Sequence, residues 1–109
     1  MLHRNGHKLS RFLGPLEADI MEILWRQNPL PAKEVRVQLR LKKKLASTTV
    51  LTVLGRLVEK GLLNKTLAGR IHNYTPVENR ETFVQNRIEE ILKALADEFP
   101  EEFRAVSTR

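Results

Sequence analysis

A mainly α-helical domain carrying a small β-hairpin, an α+β class, is the architecture this sequence predicts, and three observations predict it. Apolar residues recur at three- and four-residue spacing through residues 15–60 and again through 80–99. Between those stretches the period changes: Leu62–Leu67 and Ile71–Thr75 are short β-branched or aromatic segments divided by Ala68-Gly69-Arg70. The prolines at 15, 29, 31, 76 and 100 fall at joints rather than inside a run.

Each element follows from these signals. Pro15, after Gly14, starts a first helix over 15–27 with Leu16, Ile20, Ile23 and Leu24 on its inner face, and Asn28-Pro29 ends it. Pro31 starts a short second helix, with Ala32, Val35 and Leu39 inward and Lys33, Arg36 and Arg40 outward. The third helix runs from Ser47, the expected N-cap, to Lys60, with Gly61 as its C′ residue. The two short segments form a hairpin that must pack on the helices to be stable. A fourth helix, Arg80 to Phe99, carries the stripe Val84, Ile88, Ile91, Leu92, Leu95 and Phe99 until Pro100 stops it. Three helices followed by a hairpin is the winged helix-turn-helix arrangement, whose third helix enters a DNA major groove. The chain therefore divides into a flexible basic N-terminus (1–11), a winged-helix domain (12–77), a dimerisation helix (78–99) and a frayed polar tail (100–109).

Composition narrows the function classes. The net charge is +6, but residues 1–75 hold 14 Lys and Arg against 5 Asp and Glu, whereas residues 76–109 hold 5 against 8. Positive charge concentrated in the first two-thirds suits a surface facing phosphate, with a different task for the rest. There is no cysteine, which excludes disulfides and thiolate metal sites and suits a reducing cytoplasm. No run approaches the roughly 20 apolar residues of a membrane span, and no signal peptide follows the basic start. His3 and His7 lie in that basic start without a nearby carboxylate, and His72 sits on a strand, so no metal or cofactor is expected. With no Gly-rich phosphate loop, HExxH or Cys nucleophile, an enzyme is not expected either.

The third helix carries the sharpest signal. Wound at about 100° per residue, Val50, Leu51, Val53, Leu54, Leu57 and Val58 occupy one arc of roughly 160°. The other face holds Thr48, Thr49, Thr52, Gly55, Arg56, Glu59 and Lys60, with no negative charge before Glu59. Short hydroxyl side chains suit contact with base-pair edges, where threonine can donate, accept or meet a thymine methyl. Capping accounts for Ser47 or Thr48 but not for Thr52, one turn further in. Lys42, Lys43 and Lys44, just before the helix, are placed to contact phosphate; the alternative is a solvated charge run. Arg56 continues the polar face and is placed to reach phosphate; the alternative is a helix-surface pair with Glu59. Lys65 on the first strand joins the set, and Arg70 at the hairpin tip either enters a minor groove or is a plain turn residue. On the fourth helix, six large side chains at roughly 1.5–3 kcal/mol each need cover, from the core or from a second copy. These features predict a dimer binding palindromic double-stranded DNA; the alternative is a protein-interaction module within a larger assembly.

Three phrases, in order, resemble the penicillinase and methicillin-resistance repressor family of bacterial transcription regulators: Leu16-Glu-Ala-Asp-Ile-Met-Glu-Ile-Leu-Trp25, Thr48-Thr-Val-Leu-Thr-Val-Leu-Gly-Arg-Leu57 and Gly69-Arg-Ile-His-Asn-Tyr-Thr-Pro76. The resemblance covers about residues 12–99 and implies a winged-helix homodimer that represses transcription from palindromic operators. It puts Thr48, Thr49 and Thr52 toward DNA with Arg56 on the same face, Arg70 at the wing tip and Tyr74 on the return strand. By residue type alone, Tyr74 suits a half-buried core position, and Trp25 a core one. The family's longer C-terminal region is not expected here, because Pro100 and nine residues leave little room for its further helix. Cleavage by a membrane-bound sensor protease at an Asn-Phe bond is not expected, since the chain has no such pair. Copper sensing through C-terminal cysteine pairs is excluded.

Overall fold

The structure, a computed structural model, describes residues 8–40 and 44–109. Its elements are α1 (Pro15–Arg26), β1 (Leu30–Pro31), α2 (Ala32–Arg40), α3 (Ser47–Glu59), β2 (Leu63–Ala68), β3 (Ile71–Pro76), α4 (Arg80–Glu98) and α5 (Pro100–Ser107). They form two compact units, residues 1–79 and 80–109.

In the first unit α1 is the central helix. Pro15 occupies its first turn, and the N-cap Gly14 donates its N–H to Glu17 Oε1 at 3.0 Å. At the other end Asn28 Nδ2 donates to the Leu24 carbonyl at 2.9 Å. Ala18, Ile20, Met21, Ile23 and Leu24 are all buried. Against them pack Val35 and Leu39 of α2, and Val50, Val53, Leu54 and Leu57 of α3. Leu51 departs from the expected buried arc of α3: at its edge, the side chain stays half exposed. Ser47 is the first helical residue, not the N-cap; Ala46 takes that place without a side-chain hydrogen bond. At the far end Gly61, at φ +80°, lets its own N–H reach the Val58 carbonyl at 3.0 Å and the Leu62 N–H reach Leu57 at 2.9 Å. That pair of bonds closes α3 as a Schellman motif.

The hairpin forms as expected, in the register Leu63↔Pro76 to Ala68↔Ile71. Gly69 and Arg70 make its two-residue loop; φ is +66° at Gly69 and not positive at Arg70, the pattern of a type II′ turn. A third strand, unforeseen, joins it: β1 pairs antiparallel with β3 through Leu30↔Tyr74 and Pro31↔Asn73, giving the order β1-β3-β2. Two residues are too few to show a period of two, so Pro31 reads from sequence as a helix start. Trp25, half-buried rather than core, donates its indole N–H to the Glu78 carbonyl at 2.9 Å, fastening α1 to the chain after β3.

The N-terminal boundary moves earlier. Leu9 and Leu13 are buried, and the N–H groups of Phe12 and Leu13 both bond the Leu9 carbonyl at 2.9 Å. The packed unit therefore takes in Leu9, whereas residues 1–7 of the expected basic terminus lie outside the described residues.

In the second unit, α4 spans 19 residues and ends where Phe99 leaves helical geometry before Pro100. Arg87 lies 5.0 Å from the Phe83 ring centroid and pairs bidentately with Glu90 at 3.1 and 2.7 Å. The residues expected as a frayed tail instead form α5. Pro100 sits in its first turn, Glu101 and Glu102 meet the positive end of the helix dipole, and Arg104 meets the negative end. No helix among the described residues is long and apolar enough to cross a membrane.

Candidate nucleic-acid interface

The hydroxyl row of α3 is open to solvent. Ser47, Thr48, Thr49, Thr52 and Arg56 are all exposed, while Val50, Val53, Leu54 and Leu57 of the same helix are at most 6% exposed. The apolar face anchors the helix and thereby turns the polar face outward. Thr48, Thr49, Thr52 and Arg56 line one shallow concavity of about 230 Å³ with Val53 at its base. Its walls therefore offer hydroxyl donors and acceptors, threonine methyls and one guanidinium, with no carboxylate among them.

The other expected contacts are distributed differently. Lys44 is exposed just before α3; Lys42 and Lys43 lie outside the described residues. Lys65 and Arg70 are exposed on the hairpin, the latter in its turn. Neither lines the α3 concavity. Tyr74, placed on the DNA side by the family resemblance, is buried rather than open to solvent. It is 3% exposed, and burial pushes its phenol pKa up. It shares the inward face of the sheet with Leu30 and Leu63, so its ring belongs to the core.

Two residues escaped the sequence reading. Glu17, on α1, is buried, and its Oε2 accepts a 2.8 Å ion-pair hydrogen bond from Lys60 Nζ at the C-cap of α3. Burial pushes the carboxyl pKa up, but the Lys60 and Gly14 hydrogen bonds and the charges of Lys60 and Arg56 outweigh it, leaving the value below 4.5. The available signal was Glu17 at the third position of its helix, where a carboxylate reaches back to the N-cap N–H. Arg36, expected outward, donates from Nε to the Leu45 carbonyl at 3.2 Å and tethers the connection leading into α3.

On the second unit the stripe stays largely uncovered. Val84 is half-buried, but Ile88, Ile91, Leu92, Leu95 and Phe99 are 41–51% exposed.

The sequence model of the penicillinase repressor family matches residues 13–108. The chain belongs to that family. A relative in Mycobacterium tuberculosis, a transcriptional regulator BlaI, is 38% identical over 91 residues, covering 83% of this chain and 65% of that protein. The penicillinase repressor of Bacillus licheniformis is 29% identical over 69 residues, covering 63% of this chain and 54% of its own length. The chain thus spans less than two thirds of these curated relatives.

Among solved structures, the DNA-binding domain of the repressor BlaI superposes with a TM-score of 0.57 at 29% identity, over 63% of this chain and 84% of that one. Bacillus licheniformis BlaI in monomeric form, in complex with the blaP half-operator, gives 0.55 at 29% identity, over 62% and 83%. A MarR family protein from Bacillus stearothermophilus gives 0.62 at 20% identity over 99% of this chain and 78% of its own, a likeness of fold. Helices α1–α3 followed by the β2–β3 hairpin make the described part of the first unit a winged helix, the fold of those BlaI DNA-binding domains.

Proposed function

We propose that this member of the penicillinase repressor family is a sequence-specific DNA-binding transcriptional repressor, cytoplasmic, acting as a homodimer on a palindromic operator. The observation that carries this reading is the uncovered row Thr48, Thr49, Thr52 and Arg56 on α3. Such a surface has the size and chemistry to sit in a major groove, the threonines toward base edges and Arg56 toward phosphate. Lys44, Lys65 and Arg70 add exposed positive charge on the same unit, and the sequence supplies Lys42 and Lys43. Bacillus licheniformis BlaI in complex with the blaP half-operator supports DNA as the partner. The exposed stripe of α4 suits a second copy of the chain, which would present two recognition helices to two half-sites.

Selection of bound duplexes from random DNA tests the reading. An inverted repeat should emerge, bound with a log–log salt slope near −0.9 for each phosphate neutralised. The double variant Thr49→Glu, Thr52→Glu should lose retention while keeping its helical circular dichroism, since both positions are exposed. Recovery of no common sequence, or retention by the double variant, would refute it.

A further inference from the structure

Glu17 lies outside the hydroxyl row, yet it is tied to the helix that bears it. The residue is 5% exposed, and both carboxylate oxygens are engaged: Oε1 by the Gly14 N–H at 3.0 Å, Oε2 by Lys60 Nζ at 2.8 Å. Lys60 caps α3, and the charge of Arg56, one turn earlier, also acts on the carboxylate. Among the described residues, those that α3 buries are all apolar: Val50, Val53, Leu54 and Leu57. Hydrophobic burial is non-directional, so it holds a helix against a core better than it fixes the helix's rotation. A charge-assisted hydrogen bond is directional and short-ranged. It also joins two helix ends that are 43 residues apart in sequence.

We propose that Glu17 is a positioning residue for DNA recognition: by clamping the last turn of α3 to the start of α1, it sets the rotation at which Thr48, Thr49, Thr52 and Arg56 meet the base pairs. This rests on the DNA-binding reading above. Because the carboxylate itself faces no phosphate, its loss impairs discrimination rather than general attraction to DNA. A strut that served stability alone would leave discrimination by the folded protein untouched.

The test compares wild type, Glu17→Gln and Lys60→Gln on two duplexes: the one selected by the wild-type chain and a scrambled duplex of equal length. Binding is measured well below each variant's melting temperature, across a salt series. For Glu17→Gln, affinity for the selected duplex should fall about tenfold, the scale of one charge-assisted hydrogen bond. Affinity for the scrambled duplex and the salt slope should stay within about twofold of wild type, since no phosphate contact is lost. Lys60→Gln should compress the ratio between the two duplexes similarly; its side chain is half exposed, so it serves if Glu17→Gln fails to fold. Variants that melt earlier but keep the wild-type ratio would overturn the proposal. Wild type without sequence preference would overturn the DNA reading, and the positioning role with it, before any variant is made.

Discussion

The Glu17 carboxylate and the Lys60 ammonium meet at 2.8 Å, the first buried and the second half exposed, joining the start of α1 to the end of α3. The same carboxylate also bonds the Gly14 N–H, so one buried charge satisfies a helix N-terminus and an inter-helix contact together. Its position explains why a charge is tolerated there: every oxygen has a donor.

This relationship makes stability depend on acid. Burial raises the Glu17 pKa, but the hydrogen bonds and neighbouring cations lower it further, so the folded value lies below the ordinary 4.5. A depressed carboxyl pKa contributes stability fully above the unfolded value and loses it as pH falls through the folded one. Glu17→Gln should therefore cost about 1–3 kcal/mol at neutral pH. Its deficit relative to wild type should shrink below about pH 4.5. Denaturant unfolding of both proteins from about pH 7 to about pH 3 checks this; a constant gap would mean that the charge is not what holds the helices together.

Two glycines with equally open surroundings should respond in opposite directions. A Cβ at Gly55 or at Gly69 meets no atom within 4 Å, so neither substitution is decided by packing. Gly55 is in the middle of α3, where alanine should raise stability by up to about 1 kcal/mol. Gly69 sits at φ +66° in the hairpin turn, where alanine should cost about 1–2 kcal/mol. Thermal unfolding of the two variants separates the backbone effect from any contact; a gain in both would contradict the turn geometry.

The order of helices and hairpin was legible in sequence because each carries its own period and its own stop. Val50, Val53, Leu54 and Leu57 are buried and Thr48, Thr49 and Thr52 exposed, as the helical arc of α3 implies. What stayed hidden depends on contacts across the chain. Leu30-Pro31 becomes a strand only because Tyr74 and Asn73 lie beside it. Tyr74 and Lys65 face each other across the hairpin, yet one is core and the other solvent. Tyr74 lies on the central strand β3 between Leu30 and Lys65, whereas Lys65 lies on the edge strand β2, and no local pattern reports that placement. Glu17 carries only a local capping signal at the third position of α1; its second partner lies 43 residues away. In α5, local signals were present in Pro100, Glu101 and Glu102, but a short polar stretch after a proline reads equally well as a frayed end.

Core placement of Tyr74 sets a further expectation. Tyr74→Phe keeps the ring and should change stability little, whereas Tyr74→Ala should cost about 3–5 kcal/mol, as large aromatic truncations in cores do. If the phenol instead reached phosphate, Tyr74→Phe would weaken DNA binding while leaving unfolding unchanged. Measuring both properties on the Phe variant distinguishes the two roles.

The α4 stripe yields the last prediction. Ile88, Ile91, Leu92, Leu95 and Phe99 are spaced to fall on one side of the helix, and each is 41–51% exposed. Contiguous apolar residues at this exposure, on a helix otherwise rich in charged side chains, are the surface that the proposed second copy would cover. In a two-fold dimer every residue of the stripe is present twice, so one substitution introduces two charges into the same interface. Leu95→Glu should accordingly convert dimer to monomer at micromolar concentration, with helical content retained, as sedimentation and circular dichroism would report. Binding to an isolated half-site should survive in that monomer, while binding to the full palindrome loses the gain from linking two sites, about 10²-fold or more. A dimer that persists in Leu95→Glu and Ile91→Glu alike would place the association surface elsewhere on the chain.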